Sequence, residues 1–194
     1  MKPFRLAIFA SGSGSNAERI ATYFAEHPSI EVVLFVTNVS TAGVIARGHR
    51  LGIPTVVINR TYYRSKSFVD LLQSWGVNRV VLGGFLWLIP AHLLEAFPNG
   101  ILNIHPALLP KFGGKGMWGH HVHEAVVAAK EKESGITIHL VNAQYDEGEV
   151  LFQASCPVDL TDTPESVAQK VQALEQVHFP PVIERWLHHS FTSS

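Results

Sequence analysis

The sequence predicts an α/β fold: one open, twisted and mostly parallel sheet of the Rossmann-like kind, with helices on both faces and an antiparallel addition near the C-terminus. Short apolar runs alternate with longer amphipathic stretches along most of the chain, as parallel strands alternate with crossover helices. A glycine- and serine-rich turn, SGSGSN at 11–16, joins the first apolar run to the first amphipathic stretch. With 194 residues, of which 46% are hydrophobic, the chain is long enough to bury a sizeable core.

The first half of the chain predicts five strands separated by helices. The strands are expected at 4–10, 31–38, 54–58, 79–85 and 100–105, where apolar and β-branched residues dominate. The helices are expected in NAERIATYFAEH, AGVIARGHRLG, SFVDLLQSWG and PAHLLEAF. Gly76 follows the third helix at a position where a left-handed residue often ends helices, and Pro90 suits the first helical position of the fourth.

The pattern changes after residue 105. The segment 111–118, KFGGKGMW, contains three glycines and is expected to form a loop. The segments 135–142 and 148–158 predict a hairpin-like pair of strands around a polar turn. TDTPES then predicts a helix start, with Thr163 as the cap and Pro164 in the first turn. The apolar stripe of that last helix is expected to consist of Val167, Val171, Leu174 and Val177. Because no repeat or low-complexity linker interrupts the chain, residues 1–194 are expected to form a single domain.

Composition excludes several classes of protein. The formal net charge of −1 and the 16% of charged residues favour neither disorder nor binding to nucleic acid, so small molecules are the expected partners of a monomer or homodimer. The single cysteine, Cys156, permits no intramolecular disulfide and is typical of a reducing compartment, so a cytoplasmic protein is expected. No signal peptide is recognisable and no apolar run approaches ~18 residues, so neither export nor a membrane span is predicted.

The turn at 11–16 is a candidate anion site. Its glycines allow backbone N–H groups to approach a ligand at a helix N-terminus, and Ser13, Ser15 and Asn16 add polar side chains, which favours a phosphate group. The dinucleotide fingerprint requires a third glycine where Ala17 stands, and the Gly-Lys-Ser/Thr of a P-loop is missing. The alternative is a tight strand-to-helix turn capped by Ser15 or Asn16.

The stretch NIHPALLP at 103–110 is a candidate catalytic centre. Asn103 and His105 lie at the carboxyl end of a strand, where open α/β sheets bind ligands, and residues two apart on a strand face the same side. Pro106 excludes helical geometry at His105. An amide beside an imidazole suits a carbonyl that gains negative charge during acyl transfer. The alternative is structural: His105 satisfies buried backbone groups, and Asn103 caps a turn.

NIHPALLPKF, preceded by SGSGSN and VLGGF and followed by YDEGEVLFQASCPV, resembles the folate-dependent formyltransferases, and in particular the glycinamide ribonucleotide formyltransferases of purine synthesis. The resemblance covers nearly the whole chain and implies the formyltransferase fold. It implies a phosphate- and nucleotide-binding half at about 1–100 and a folate-binding and catalytic half at about 101–194. It also implies the activity, which is transfer of a formyl group from 10-formyltetrahydrofolate, as co-substrate, to the amine of glycinamide ribonucleotide without a metal.

The resemblance further implies which residues form the site. The catalytic residues would be Asn103, His105 and Asp146, with Asp146 expected to raise the pKa of His105. The ribonucleotide would be bound by Gly14, Ser15, Asn16, Gln172 and Glu175. The folate would contact Asn103 and two walls of the pocket, formed by Leu86, Trp87, Leu88 and Ile89, and by Asn142, Ala143, Gln144, Tyr145 and Asp146. Arg60 is the expected arginine near the ligands, with Arg64 as the competing assignment.

The chain departs from the family's common pattern at three places. Asp-Gly-Gly-Pro is Asp-Glu-Gly-Glu here, a frequent Met-Arg is replaced by Leu86 and Trp87, and the loop KFGGKGMWGHHVHEA is longer and richer in glycine. His120, His121 and His123 are expected in a solvated loop, with one of the three lining the substrate site, and His188 and His189 on the surface, so no metal site is predicted. Two other functions stay open: a formyltetrahydrofolate hydrolase, and a nucleotide-binding module without catalytic activity.

Overall fold

The computed structural model describes residues 2–188, so His189 lies outside the described residues. The strands are β1 (Phe4–Phe9), β2 (Ile30–Thr37), β3 (Thr55–Val57), β4 (Arg79–Leu82), β5 (Ile101–His105), β6 (Glu133–Leu140) and β7 (Val150–Pro157). The helices are α1 (Ser15–Tyr23), α2 (Gly43–Leu51), α3 (Arg60–Tyr63), α4 (Lys66–Ser74), α5 (Ala91–Ala96), α6 (His120–Ala128) and α7 (Pro164–His188). None of these helices is long and apolar enough to cross a bilayer.

The seven strands form one sheet in the order β3-β2-β1-β4-β5-β6-β7. The first five strands are parallel, whereas β6 is antiparallel to β5, and β7 is antiparallel to β6. The predicted open, mostly parallel sheet with a late antiparallel addition is therefore confirmed. The strand order reverses direction between β1 and β4, which makes the carboxyl ends of these strands the expected place for a ligand crevice.

Helices cover both faces of the sheet, as predicted. Leu6 and Ile8 of β1 point to one face, where they pack in a cluster with residues of α1, α2, α6 and α7. Ala7 and Phe9 point to the other face, where they pack with residues of α3, α4 and α5. This strict alternation along a strand that is buried on both sides explains why its sequence is continuously apolar.

Several helix ends follow their sequence signals. Gly76 has φ 68° immediately after Trp75, the C-cap residue of α4, as predicted for a residue that ends a helix. The hydroxyl of Thr163 accepts a hydrogen bond from the N–H of Ser166 at 3.3 Å, so the predicted cap of α7 is confirmed. Pro90 lies one position earlier than predicted, as the N-cap of α5, because its extended ψ of 155° is not helical.

Two helical predictions were wrong. The chain forms α6 where a solvated loop was expected at His120 and His121, because Val122 and Val126, four residues apart, are buried and anchor one face of a helix. In α7, Val177 is 61% exposed, although it was expected in the apolar stripe. The buried face of α7 instead turns away from that residue and continues through Phe179 and Ile183.

Candidate active site

A cavity of about 750 Å³ lies at the carboxyl ends of β1, β4 and β5, at the reversal of strand order. Its walls come from the turn after β1, the segment after β4, the end of β5 and one side of α7. The turn before Gly148 and the glycine-rich loop before α6 close the remaining sides. The cavity therefore brings together the two sequence motifs that were expected to bind ligands, although about 90 residues separate them.

Gly14 shapes the turn at one end of the cavity. It has φ 76° and is the N-cap residue of α1, which has no side-chain cap. The alternative of a turn capped by Ser15 or Asn16 is therefore wrong. The amide of Asn16 is instead engaged with α7, because its Nδ2 donates to Glu175 at 2.9 Å and its Oδ1 accepts from Gln176 at 3.1 Å.

Gly14→Ala is expected to lower the free energy of unfolding by about 2 kcal/mol or more. The left-handed backbone conformation of Gly14 is unfavourable for alanine, and the added Cβ would clash with neighbouring core atoms. That Cβ would lie 2.6 Å from Cβ of Val44. Gly12→Ala is the matched control, since a Cβ at Gly12 has no neighbour within 4 Å. Urea titration measures both variants, and equal losses of stability would contradict this account of the turn.

The residues expected to bind the ribonucleotide lie together at this end. Gly14, Ser15 and Asn16 line the cavity from α1, and Gln172 and Glu175 line it from α7. Nε2 of Gln172 donates to the hydroxyl of Ser15 at 3.3 Å, so this bond joins the same two helices, α1 and α7, as the bond between Asn16 and Glu175. Burial raises the pKa of Glu175 to about 6, and the hydrogen bond from Asn16 offsets only part of this effect.

The raised pKa of Glu175 predicts a pH-dependent stability. Because its folded-state pKa of about 6 exceeds the ordinary 4.5, the native state binds more protons than the unfolded state between these values. The free energy of unfolding should therefore fall as the pH rises through this window, and Glu175→Gln should remove that fall. Urea titrations at several pH values from 5 to 7 measure the difference between the two proteins. If the free energy of unfolding of the native protein stays constant relative to that of Glu175→Gln, or rises relative to it, as the pH increases, the assignment is contradicted.

His105 lies at the other end of the cavity, almost completely buried. Its Nε2 is 2.7 Å from the carbonyl oxygen of Phe112, and its Nδ1 is 3.5 Å from Oδ2 of Asp146. Because a carbonyl oxygen only accepts, Nε2 carries a proton and donates it to this bond. The imidazole is therefore held between a backbone carbonyl and a carboxylate.

The pKa of His105 lies below its ordinary value, contrary to the prediction. Burial of the imidazole lowers the pKa, and this effect outweighs the attraction to Asp146 and the hydrogen bond to Phe112, which both raise it. Asp146 thus acts in the predicted direction, but the loss of solvent around the ring is the larger effect. The neutral imidazole is therefore the favoured form at neutral pH.

Asp146 connects the histidine to the glycine-rich loop. It occupies the left-handed region with φ 57°, and its Oδ2 accepts a hydrogen bond from the N–H of Gly114 at 2.9 Å. Burial raises the pKa of Asp146, but the nearby imidazole of His139, the charge that His105 carries when protonated and the bond from Gly114 together lower it below the usual range. The carboxylate is therefore ionised at neutral pH. The backbone of Asp146 is one of four within residues 2–188 that have a positive φ without being glycine.

His139 is a member of the site that the sequence analysis missed. Its Nε2 is 3.0 Å from Nδ2 of Asn103 and 3.6 Å from Oδ1 of Asp146, so it connects these two residues. Its Nδ1 donates to the carbonyl oxygen of Leu140 at 2.8 Å, so in the neutral ring Nε2 accepts from Asn103. The signal in the sequence was a single imidazole within the apolar strand GITIHLVN.

The residues expected around the folate fall into two groups. Those that line the cavity are Leu86, Trp87, Leu88, Ile89, Asn103, Gln144, Tyr145 and Asp146. Asn142 and Ala143 do not line it. Oδ1 of Asn142 accepts a hydrogen bond from the N–H of Gln144 at 2.9 Å, so this side chain stabilises the backbone of the turn. Arg60 does not line the cavity either, but its guanidinium lies 4.8 Å over the ring of Trp87, which does, whereas Arg64 has no such contact.

Steric crowding explains why Asp-Glu-Gly-Glu keeps one glycine, Gly148, of the family's Asp-Gly-Gly-Pro. A Cβ on Gly148 would lie 1.7 Å from the carbonyl oxygen of Leu140, so no other residue fits there without moving the backbone. The close approach pairs the end of β6 with the segment before β7, since the N–H of Leu140 donates to the carbonyl of Glu149 at 2.8 Å. The turn that carries Asp146 is thereby fixed without the second glycine and the proline.

The remaining histidines of the segment 120–123 divide into two exposed residues and one buried residue. His120 and His121 are exposed and lie 3.4 and 3.0 Å from the carboxylate of Glu124, whereas His123 is buried and lines the cavity. The expectation that one of the three lines the site is confirmed, on a helix instead of a loop. Burial lowers the pKa of His123.

Within residues 2–188, one cluster brings three possible metal ligands together: His27, Glu184 and His188. Nδ1 of His27 accepts hydrogen bonds from the N–H groups of Ser29 and Ile30 at 3.2 and 3.1 Å. Nε2 of His27 therefore carries the ring proton and donates toward Glu184 at 3.4 Å. A metal on Nε2 would require the opposite tautomer, so this cluster fits a hydrogen-bonded link between α7 and the loop before β2 better than a metal site.

Comparison with known proteins agrees with this geometry. The chain matches the model of the formyl transferase family over residues 4–183. It is 43% identical over 174 residues to the chloroplastic phosphoribosylglycinamide formyltransferase of Arabidopsis thaliana, covering 86% of this chain and 60% of that protein. It is 31% identical to part of the trifunctional purine biosynthetic protein adenosine-3 of Gallus gallus, covering 93% of this chain and 18% of that protein. The chain thus spans about 60% of the length of the curated plant relatives it matches.

Solved structures show the same fold. The phosphoribosylglycinamide formyltransferase from Bacillus halodurans superimposes with a TM-score of 0.85 at 35% identity, over 95% of both chains. The enzyme of the same name from Brucella melitensis superimposes with a TM-score of 0.85 at 32% identity, over 100% of both chains. The family match includes the glycine turn and the end of β5. The chain therefore belongs to the formyl transferase family.

Proposed function

We propose that the protein transfers the formyl group of 10-formyltetrahydrofolate to the amine of glycinamide ribonucleotide in de novo purine biosynthesis. The observation that carries this proposal is the convergence of Asn103, His105 and Asp146 on one cavity whose other end is the Gly14 turn. A substrate with a phosphate at one end and an amine at the other matches this separation of groups. The names of the relatives support phosphoribosylglycinamide as the acceptor and a formyl group as the group transferred.

The folate co-substrate would bind between two walls of the cavity. Its pterin would lie against the apolar segment 86–89 and the turn that contains Gln144 and Tyr145. Its formyl group would then reach the catalytic end at Asn103 and His105. Because the cavity draws its walls from both halves of the chain, we propose that residues 1–194 act as one domain.

The reaction requires stabilisation of a negatively charged oxygen. The amine nitrogen attacks the formyl carbon, and the tetrahedral intermediate then breaks its bond to N10, which gains the proton that the amine loses. The Asn103 amide has two N–H groups, of which His139 uses one and the other is available for the oxygen. The Nε2–H of His105 exchanges the carbonyl of Phe112 for this stronger acceptor.

The buried carboxylate of Asp146 serves the proton transfer. Because it is ionised, it stabilises the positive charge that the His105 ring acquires when it takes a proton from the amine, and it then orients the protonated ring by accepting a hydrogen bond from Nδ1. The proton then passes to N10 through His105 or through a water molecule that Asp146 holds. A neutral His105 is suited to this step, since its lowered pKa leaves it free to accept a proton.

The test is the dependence of folate release on the acceptor. Purified protein is incubated with 10-formyltetrahydrofolate, with and without glycinamide ribonucleotide, and the deformylated folate is measured. The proposal predicts release that requires the ribonucleotide and yields its formylated product in equal amount. Release without the ribonucleotide would indicate a hydrolase, and binding without release would indicate a module that only binds nucleotides. Either result would overturn the proposal.

A further inference from the structure

Helix α2 makes two hydrogen bonds to the turn after β1, from outside the cavity. The N–H of Val44 donates to the carbonyl oxygen of Gly12 at 3.3 Å. Nε of Arg47 donates to the carbonyl oxygen of Ser13 at 2.7 Å, a charge-assisted bond. Gly12 and Ser13 line the cavity, whereas Arg47 does not. Two successive carbonyl groups of the turn are therefore held on the side that faces α2.

The direction of these carbonyl groups fixes the direction of the neighbouring N–H groups. In a planar trans peptide the C=O and the N–H point in opposite directions. The bond from Arg47 to the Ser13 carbonyl therefore directs the Gly14 N–H toward the cavity, and the bond from Val44 does the same for the Ser13 N–H. Within residues 2–188, neither of these N–H groups has an acceptor. Two consecutive N–H groups that point the same way form an anion-binding concavity.

The charge of Arg47 is already engaged. Its Nη1 pairs with the carboxylate of Glu18 on α1, and Nη2 of Arg50 pairs with the other oxygen of the same carboxylate. Arg50 therefore shares the helix, the charge and the acidic partner of Arg47, but it makes no bond to the turn. Since neither arginine lines the cavity, neither is placed to touch a ligand there.

We propose that Arg47 is a positioning residue for the phosphate of the substrate: it holds the Ser13 carbonyl so that the Gly14 N–H is presented to the phosphate. This inference rests on the proposed function for the identity of the substrate. Arg47 acts through the backbone of the turn and not through its charge, because that charge is paired with Glu18. The lost bond in Arg47→Ala would leave the peptide free to rotate away from the ligand.

Calorimetric titration with glycinamide ribonucleotide tests the inference on the folded protein, without the reaction. Arg47→Ala is expected to raise the dissociation constant about tenfold, the size of one charge-assisted hydrogen bond. Arg50→Ala, which removes the same charge, is expected to change it by less than about twofold. In steady state, Arg47→Ala should raise KM for the ribonucleotide by a similar factor and leave kcat nearly unchanged. Arg47→Lys, which keeps the charge but loses the planar guanidinium that spans Ser13 and Glu18, should resemble the alanine variant.

A substrate without the phosphate separates positioning from general damage. Glycinamide riboside, the dephosphorylated analogue, should bind the native protein and Arg47→Ala equally, whereas inorganic phosphate should bind Arg47→Ala more weakly. Equal weakening by Arg47→Ala and Arg50→Ala would show a charge effect and overturn the inference, as would unchanged affinity for phosphate in Arg47→Ala. If the native protein binds phosphate through the turn but transfers no formyl group, the proposed function fails while the role of Arg47 stands.

Discussion

Replacement of His105 by alanine is expected to lower kcat for formyl transfer at least ~10²-fold, because loss of one donor to a developing oxyanion typically costs ~10² to 10³. The ring lies between two groups of the site, since it donates to the Phe112 carbonyl and faces Asp146. Asn103→Ala is expected to cause a loss of the same order, because it removes the second donor and the partner of His139. Steady-state kinetics with both substrates at saturation measures kcat.

The control for these variants is His49→Ala, which removes an exposed imidazole from α2 that does not line the cavity. It should retain native kcat. Circular dichroism and urea titration establish whether the His105 and Asn103 variants remain folded. A folded His105→Ala or Asn103→Ala protein with nearly native kcat would refute the role assigned to that residue.

Asp146→Asn is expected to lower kcat by ~10²-fold or more, because a neutral amide no longer orients and stabilises the imidazole that takes up the proton. The substitution keeps the shape of the side chain and an oxygen for the Gly114 N–H, so the turn should persist. Because the Asp146 charge raises the pKa of His105, the variant should also lower that pKa further. Histidine ring signals followed by NMR across pH give this second readout.

Glu147→Gln is the matched control for Asp146→Asn, since it removes a negative charge from the adjacent exposed residue that does not line the cavity. It should leave both kcat and the titration of His105 nearly unchanged. If both variants shift the His105 titration equally, then a general change in charge, and not the 3.5 Å contact, sets the behaviour of the ring. An Asp146→Asn protein with native kcat would remove the carboxylate from the mechanism.

The parts of the fold that the sequence predicted are those with local signals. Continuous apolar runs identified the buried parallel strands, and Gly76 and Thr163 marked helix ends through their backbone preferences. Helix α6 was not predicted because its apolar face is short, with only Val122 and Val126, and because a glycine-rich segment and three histidines are typical of a loop. Three buried positions in nine residues, of which only two are apolar, give little hydrophobic periodicity to detect.

The parts of the site that the sequence did not predict depend on pairing between distant segments. His139 faces Asn103 because β5 and β6 are antiparallel neighbours in one register, and no local pattern specifies that register. The lowered pKa of His105 depends in the same way on how completely the surrounding segments exclude water. The different positions of Asn142 and Gln144 follow from a turn in which the first side chain bonds to the backbone and the third lines the cavity.

The most direct test of the central claim is a single-turnover experiment with 10-formyltetrahydrofolate labelled with ¹³C in the formyl group. Excess native protein is mixed with the donor and with glycinamide ribonucleotide, quenched at short times and analysed by mass spectrometry. The label is expected on the amine of the ribonucleotide, at a rate no slower than kcat, and this transfer should be lost in His105→Ala. Label that appears as free formate at the same rate with or without the ribonucleotide would contradict the claim that this cavity joins the two substrates.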